Sequence, residues 1–464
     1  MGHLYIAAAH KSSGKTSVSI GLTAALVRKG LAVQTFKKGP DYIDPLWLTR
    51  AAGRPCYNLD FFTQTHAEIA NTFASGREDT DISLIEGNKG LFDGVDVEGS
   101  DSNAALATML GAPVVLVIDT GGMTRGIAPL IRGYLDFDPR VNIAGVILNK
   151  VGGARHEAKL RAALKLYTDI EVLGAIGRDS ALEIPERHLG LVPANEAGGS
   201  GTADSVISRL ANAVSKSVDL ERIIDISKTA GLPSGLSGAT TGPRDLPPTR
   251  STIRIAIARD AAFGFYYQDD IEAFEQAGAE LVPFDTLNDA HLPDAEGLFI
   301  GGGFPETHLD ALSTNESLLK DIRQALAEGM PAYAECGGLM YLSRSIEWRG
   351  KKRDMVGTVP ADVLVGTRPE GRGYMVVEET TNSPWPPAPA NTGSARVHEF
   401  HYARLENLDG QFDFAHKVLR GTGIDGNHDG LVIGNLLAGF AHHRNTGTNP
   451  WVERFVAFVR EKST

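Results

Sequence analysis

Two short stretches of the chain put reactive side chains where an apolar strand gives way to a helix. The first, Ala9-His10-Lys11-Ser12-Ser13-Gly14-Lys15-Thr16, follows a buried-looking run and opens a helical pattern, the setting a phosphate-binding loop needs. There the backbone N–H groups of Ser12, Ser13 and Gly14 and the helix N-terminus face phosphates, Lys15 reaches the outer ones and the Thr16 hydroxyl serves Mg2+. Ala9 stands where the usual pattern begins with Gly, so the match rests on context as well as letters. The second stretch, Pro331-Ala332-Tyr333-Ala334-Glu335-Cys336-Gly337-Gly338-Leu339-Met340, is a strand, a turn of small residues and a helix start with a cysteine at the turn. That is the thiol form of a nucleophile elbow: small neighbours permit the strained turn, and the helix N-terminus favours thiolate.

Each stretch has candidate companions. Lys37-Lys38 end the second strand and lead into Gly39-Pro40-Asp41-Tyr42-Ile43-Asp44-Pro45, where Gly and Pro fix a tight loop and two carboxylates three apart can serve Mg2+ or hold a substrate group. Two adjacent lysines are often only a solvated pair; here they fall at the carboxyl edge of the sheet, where ligands of such folds bind. The third strand ends in Glu86-Gly87-Asn88-Lys89-Gly90-Leu91-Phe92-Asp93-Gly94, and Glu86, first after Ile85, is the better candidate for a second metal contact. Asn149 closes another strand, either to pair with an adenine edge or as an ordinary loop residue. For the thiol, Gly301-Gly302-Gly303 offers bare backbone N–H groups that, with Gly337, could form an oxyanion hole. A thiolate needs an imidazole to shuttle its proton, and His442 is preferred over the adjacent His443, although either could lie on the surface.

These motifs need strands and helices to hold them. Leu4–Ala8, Ala32–Phe36, Ser83–Ile85, Val114–Ile118 and Ala144–Leu148 read as buried parallel strands between helical stretches, that is, βαβ units under a doubly wound sheet. The pattern restarts with Ile253–Ala258, Leu281–Phe284, Gly297–Ile300 and Pro331–Ala334, separated by helices over Asp269–Ala277 and Glu316–Glu328. Between the two series, residues 227–250 are rich in Gly, Pro, Ser and Thr. Expected domains are therefore 1–226, a flexible linker over 227–251 and 252–464.

Bulk properties narrow the function. The 464 residues are 42% hydrophobic and 22% charged, as in ordinary globular proteins, and the net charge of −12 gives no basic footprint for nucleic acid or an anionic membrane. Two cysteines, Cys56 and Cys336, are too few for a disulfide framework and fit a reducing compartment. With no basic start followed by a long apolar run and no membrane-length apolar stretch, the expected location is the cytoplasm.

With these residues in view, the chain resembles the cobyrinic acid a,c-diamide synthase family over nearly its whole length. The carriers are KKGPDYIDP at 37–45, EGNKGLFDG at 86–94, ARDAAFGFYY at 258–267, GGGFPE at 301–306, AECGGLMYL at 334–342 and HEFHY at 398–402. The resemblance implies a P-loop domain of the dethiobiotin-synthetase type followed by a class I glutamine amidotransferase-like domain whose third triad member, a glutamate, is absent from the usual place. It assigns Asp41, Asp44, Glu86 and Asp93 to positioning Mg-ATP and the tetrapyrrole, and Tyr42 to holding the substrate. With the readings above, the candidates are Ser12, Ser13, Gly14, Lys15, Thr16 and Asn149 for ATP, Thr16, Asp41 and Glu86 for Mg2+, and Lys37, Asp41, Tyr42, Asp44 and Asp93 for the tetrapyrrole. Cys336 and His442 would release ammonia from L-glutamine, with Gly302, Gly303 and Gly337 as the oxyanion hole. ATP would convert an acetate side chain to an acyl phosphate, which ammonia displaces, twice over. Lys38 and Asn88-Lys89 depart from commonly apolar positions, and His442-His443-Arg444 departs from the usual His-x-His-aromatic ending. These departures imply a different pattern of substrate carboxylates and point to sirohaem as an alternative to a corrinoid. A homodimer is left open. A partitioning-type ATPase would have no use for Cys336, and GPDYID argues against cobyric acid synthase.

Overall fold

The computed structural model describes residues 1–187, 190–196, 200–231, 252–389 and 393–463. The chain forms two compact units, 1–241 and 242–464, and most of the expected linker lies outside the described residues. Its first two positions, Ser227 and Lys228, close a helix over Leu220–Lys228.

The first unit is built on seven strands: β1 (Gly2–Ala8), β2 (Val33–Lys38), β3 (Tyr57–Leu59), β4 (Ile82–Glu86), β5 (Val114–Asp119), β6 (Ile143–Val151) and β7 (Val172–Gly177). They pair in the order β3-β2-β4-β1-β5-β6-β7, and every pairing is parallel. Leu4, Tyr5 and Ile6 are fully buried, because a central parallel strand is covered on both faces and so carries apolar side chains in both directions. Tyr5 and Ala7 join one core with Phe36, Ile85 and Leu116, whereas Leu4 and Ile6 join another with Val33 and with Val18 and Leu22 of helix α1 (Lys15–Arg28). Helix α1 is therefore fixed to one face of the sheet, with its first residue at the carboxyl end of β1. Gly21 lets it approach the helix Ser200–Ser217 closely: a Cβ there would stand 2.7 Å from Val214 and 2.8 Å from the Leu210 carbonyl.

The second unit carries a nine-stranded mixed sheet. Ala279–Phe284, Ile253–Ala258, Gly297–Ile300, Ala332–Glu335 and Leu436–Gly439 lie parallel in that spatial order. The sheet continues antiparallel through His428–Ile433, Asp413–Arg420, Gly371–Glu379 and Ala395–His401. The expected helices form at Gln268–Gln276 and Glu316–Ala327, with Ile271 and Phe274, then Leu318, Leu319 and Ile322, buried. Both reactive stretches sit at carboxyl ends of parallel strands, β1 in the first unit and Ala332–Glu335 in the second.

Candidate active sites

In the first unit, the loop after β1 turns through Ser12 and Gly14, both at positive φ (66° and 82°), before α1 begins at Lys15. It is braced from β6: Asn149 donates Nδ2 to the Ser13 carbonyl (2.9 Å), and Lys150 reaches the Ser12 carbonyl (3.0 Å). A Cβ on Gly14 would stand 2.2 Å from Asn149 Nδ2, so glycine is required by contact as well as by conformation. Beyond the loop, five side chains converge. Glu86 Oε1 accepts from Lys15 Nζ (2.7 Å), Thr16 Oγ1 (2.8 Å) and Lys37 Nζ (3.0 Å). Asp44 Oδ2 accepts from Thr16 Oγ1 (3.3 Å) and from Lys37 Nζ. Asp41 stands at the rim, 3.7 Å from Lys37, and caps helix α2 (Ile43–Ala52) through the N–H groups of Ile43 and Asp44.

Three carboxylates thus share two ammonium groups. Burial alone would raise Glu86, but Lys15 and Lys37 bring it down to about 2. Asp44 takes the surplus: burial and the neighbouring Asp41 push it up to about 7. Glu86 Oε2 is buried without a hydrogen-bond partner. That orphaned carboxylate oxygen, beside the Thr16 hydroxyl and Asp44, suits Mg2+, which prefers one or two protein carboxylates supplemented by phosphate oxygens and water. Among the described residues no cluster of three or more His, Cys, Asp or Glu forms an all-protein metal cage.

In the second unit, Cys336 occupies φ 50°, ψ −102°, a strained turn for a residue with a side chain, and it is 6% exposed. Its N–H donates to the Gly439 carbonyl (2.7 Å), which ties the turn to the next strand. His442 follows that strand, and its imidazole stands close enough to Cys336 to interact with it electrostatically. The main chain of His442 is fixed by a reciprocal pair with His398, N–H to carbonyl at 2.7 and 3.2 Å. Gly302 lies against the imidazole, where a Cβ would come within 2.5 Å of Cε1. A Cβ on Gly337 would stand 2.9 Å from the Gly303 nitrogen, so these two glycines bring their backbones together beside the thiol. Burial would lower the His442 pKa, but the Cys336 thiolate and the Glu335 carboxylate raise it to about 10. An imidazole beside a cysteine at a strand-to-helix turn is the arrangement a thiol nucleophile needs.

Residues 4–192 match the model of the CobQ/CobB/MinD/ParA nucleotide binding domain, and residues 254–449 that of the CobB/CobQ-like glutamine amidotransferase domain. The cobyrinate a,c-diamide synthase of Magnetococcus marinus is 44% identical, with 99% of this chain and 98% of the relative aligned. This chain belongs to the cobyrinate a,c-diamide synthase family. Similar proteins of that name occur in Methanosarcina acetivorans (40% identical, covering 94% of this chain and 91% of the relative) and Syntrophotalea carbinolica (39%, covering 99% of each).

Within this cobyrinate a,c-diamide synthase family chain, the structure separates the two adjacent histidines. His443 turns from the thiol, packing its ring 4.9 Å from that of His416, with Nδ1 3.2 Å from Asn449 Nδ2. Tyr42 is buried, whereas Asp93 is exposed and accepts the Gly90 N–H (3.0 Å). Sequence reasoning did not single out Glu335. It is 3% exposed, takes the Tyr333 hydroxyl (2.6 Å) and the His443 N–H (2.8 Å) on Oε1, and places Oε2 3.7 Å from His442 Nδ1. A carboxylate therefore stands behind the imidazole, supplied by the residue before the nucleophile. The signal was a charged residue ending an otherwise apolar strand. Among the described residues, no helix is long and apolar enough to cross a membrane.

Proposed function

We propose that this chain amidates the a and c acetate carboxylates of cobyrinate, using ATP and glutamine. The observation that carries the reading is one chain with both a phosphate loop set against Glu86 and Asp44 and a strained Cys336 paired with His442. Residues 1–226 are the synthetase domain and 252–464 the glutaminase domain, joined by 227–251.

Lys15 and the loop N–H groups bind the nucleotide phosphates, while Thr16, Glu86 and Asp41 or Asp44 hold Mg2+. The metal, when bound, neutralises phosphate charge as the terminal group is transferred. An acetate oxygen attacks the γ-phosphorus and ADP leaves, giving an acyl phosphate. In the second domain, the Cys336 thiolate attacks the glutamine carboxamide carbon, and backbone N–H groups of Gly302, Gly303 and Gly337 receive the oxyanion. His442 gives its proton to the departing nitrogen, ammonia leaves, and water hydrolyses the thioester to glutamate. Ammonia then attacks the acyl carbon and phosphate departs. Glu335 orients His442 and stabilises its charged form. Lys37, Tyr42 and Asp93 are assigned to the macrocycle. ATP and glutamine are abundant in the cytoplasm, which supports that location.

The test is purified protein with Mg-ATP, glutamine and either cobyrinate or sirohaem, followed by mass spectrometry of the tetrapyrrole. Two amidations of cobyrinate are expected. An unchanged cobyrinate mass would defeat the assignment, and amidation of sirohaem alone would move it to that substrate. The relatives' names carry cobyrinate, whereas sirohaem rests only on the departures at Lys38, Asn88-Lys89 and His442-His443-Arg444.

A further inference from the structure

Successive side chains of a strand leave the sheet on opposite faces, so the two lysines that end β2 must part company. Lys37 turns to Asp44 and Glu86, on the face that packs α1. Lys38 follows Phe36 to the other face, where Phe36 packs with Leu59, Ile85 and Leu91. It therefore leaves the sheet away from the helix that carries Lys15 and Thr16, and a nucleotide phosphate on that loop is not its natural partner.

Lys38 is 5% exposed, yet it forms no hydrogen bond or ion pair among the described residues. Asp60 and Asp101 attract it only from beyond contact. Both are engaged elsewhere: Asp60 accepts from Thr63 Oγ1 (2.9 Å) and Phe62 N (3.2 Å), and Asp101 from the N–H groups of Val95 and Asp96. Burying an ammonium without a partner is unfavourable, so the position calls for an anion. Two further groups lie nearby. The Asn88 side chain lies against Gly39, next in sequence to Lys38, and its Oδ1 is buried without a partner. The atom that meets Gly39 is already the donor Nδ2, 3.1 Å from where a Cβ would stand. Lys89 is exposed, at φ 32°, and close enough to repel Lys38.

We propose that Lys38, with Lys89 and Asn88, forms an anion subsite that holds a substrate carboxylate other than the one being activated. The proposal rests on the reading that the substrate is a polycarboxylate macrocycle, and it makes Lys38 a specificity-determining residue.

The experiment titrates the full chain and its K38M, K38R and K89Q variants with cobyrinate, with its fully methyl-esterified form and with Mg-ATP, following the corrin absorbance and the nucleotide separately. K38M should weaken cobyrinate binding roughly 10–100-fold, the span expected for loss of one charged hydrogen bond. K38R should restore most of it, and K89Q should lose about threefold at low salt and nothing at high salt. The ester should not distinguish the native protein from K38M, and ATP affinity should be the same in all four proteins. Equal cobyrinate affinity in native protein and K38M would overturn the subsite, leaving Lys38 as a counter-charge to Asp60 and Asp101. If K38M does not fold, K89Q decides: cobyrinate binding unchanged at low salt overturns the proposal. Native protein that binds no cobyrinate would instead remove the functional reading, and the subsite with it.

Discussion

At the phosphate loop, Lys15, Lys37, Asp41, Asp44 and Glu86 arrange whole charges on side chains from four segments of the first unit, and none of these five residues stands at positive φ. At the thiol elbow the reverse holds: the strain sits on the nucleophile itself, at φ 50°, and a single carboxylate, Glu335, stands 3.7 Å behind the imidazole. The first centre must grip polyanions and activate a carboxylate, so it is rich in exchangeable ion pairs. The second must present one sulfur atom at a fixed angle, so it invests in backbone geometry. The difference teaches that electrostatic sites are assembled by composition, whereas a nucleophile is positioned by the fold's hydrogen bonds.

The sharpest way to break that division is to remove one centre's key atom and ask about the other. Cys336→Ser should reduce glutamine-dependent amidation by at least about 10^4-fold while ammonium-dependent amidation stays near native. Equal loss with both nitrogen donors, measured as product per ADP formed, would merge what we describe as two centres. Lys15→Ala should cost about 10^2- to 10^3-fold with either nitrogen donor, because it removes a charge from the phosphates. Unchanged turnover there would put carboxylate activation elsewhere.

Smaller effects sharpen the contrast. Glu335→Gln should lower kcat for glutamine hydrolysis about 10^2-fold, and its pH profile carries the more telling signal. His442 is raised to about 10 partly by that carboxylate, so deleting the charge disfavours the imidazolium and moves the alkaline limb to lower pH. A purely structural Glu335 would lower the rate without moving the limb. At the other centre the sign is opposite. Asp44 is raised to about 7, so its ionised form grows as pH rises through that value. Mg2+-dependent nucleotide affinity should climb by up to about tenfold per unit below that pKa, and Asp44→Asn should flatten the curve. A native curve already flat would remove Asp44 from the cation's neighbourhood.

Much of this could be read from the sequence because the first unit repeats one signal. Buried strands at β1, β4, β5 and β6 are largely apolar runs, β2 keeps Val33 and Phe36 among polar residues, and the charged motifs fall where these strands end. Strand β3 is only three residues long and β7 is the glycine-interrupted VLGAIG, so these outer strands left too weak a pattern. The antiparallel extension over 371–439 was missed for a different reason. Strands such as Gly371–Glu379 bury only some of their alternate residues and carry glycine and charge among them. At the sites, charged groups could be located but their hydrogen bonds could not. Asn149 was read as an adenine contact or a loop residue, and it is bonded to Ser13, 136 positions away in sequence. Glu335 became visible only once sheet register set it opposite Gly439, three residues before His442.

The reciprocal main-chain pair between His442 and His398 ties the proton carrier to the strand Ala395–His401, which ends the nine-stranded sheet. An outermost strand is the part of a sheet with the fewest neighbours to resist displacement. A shift of that margin strand would therefore be passed through the main chain to the residue that carries the imidazole. Substitutions there, such as at Val397, would detune turnover without altering a single atom of the cysteine turn.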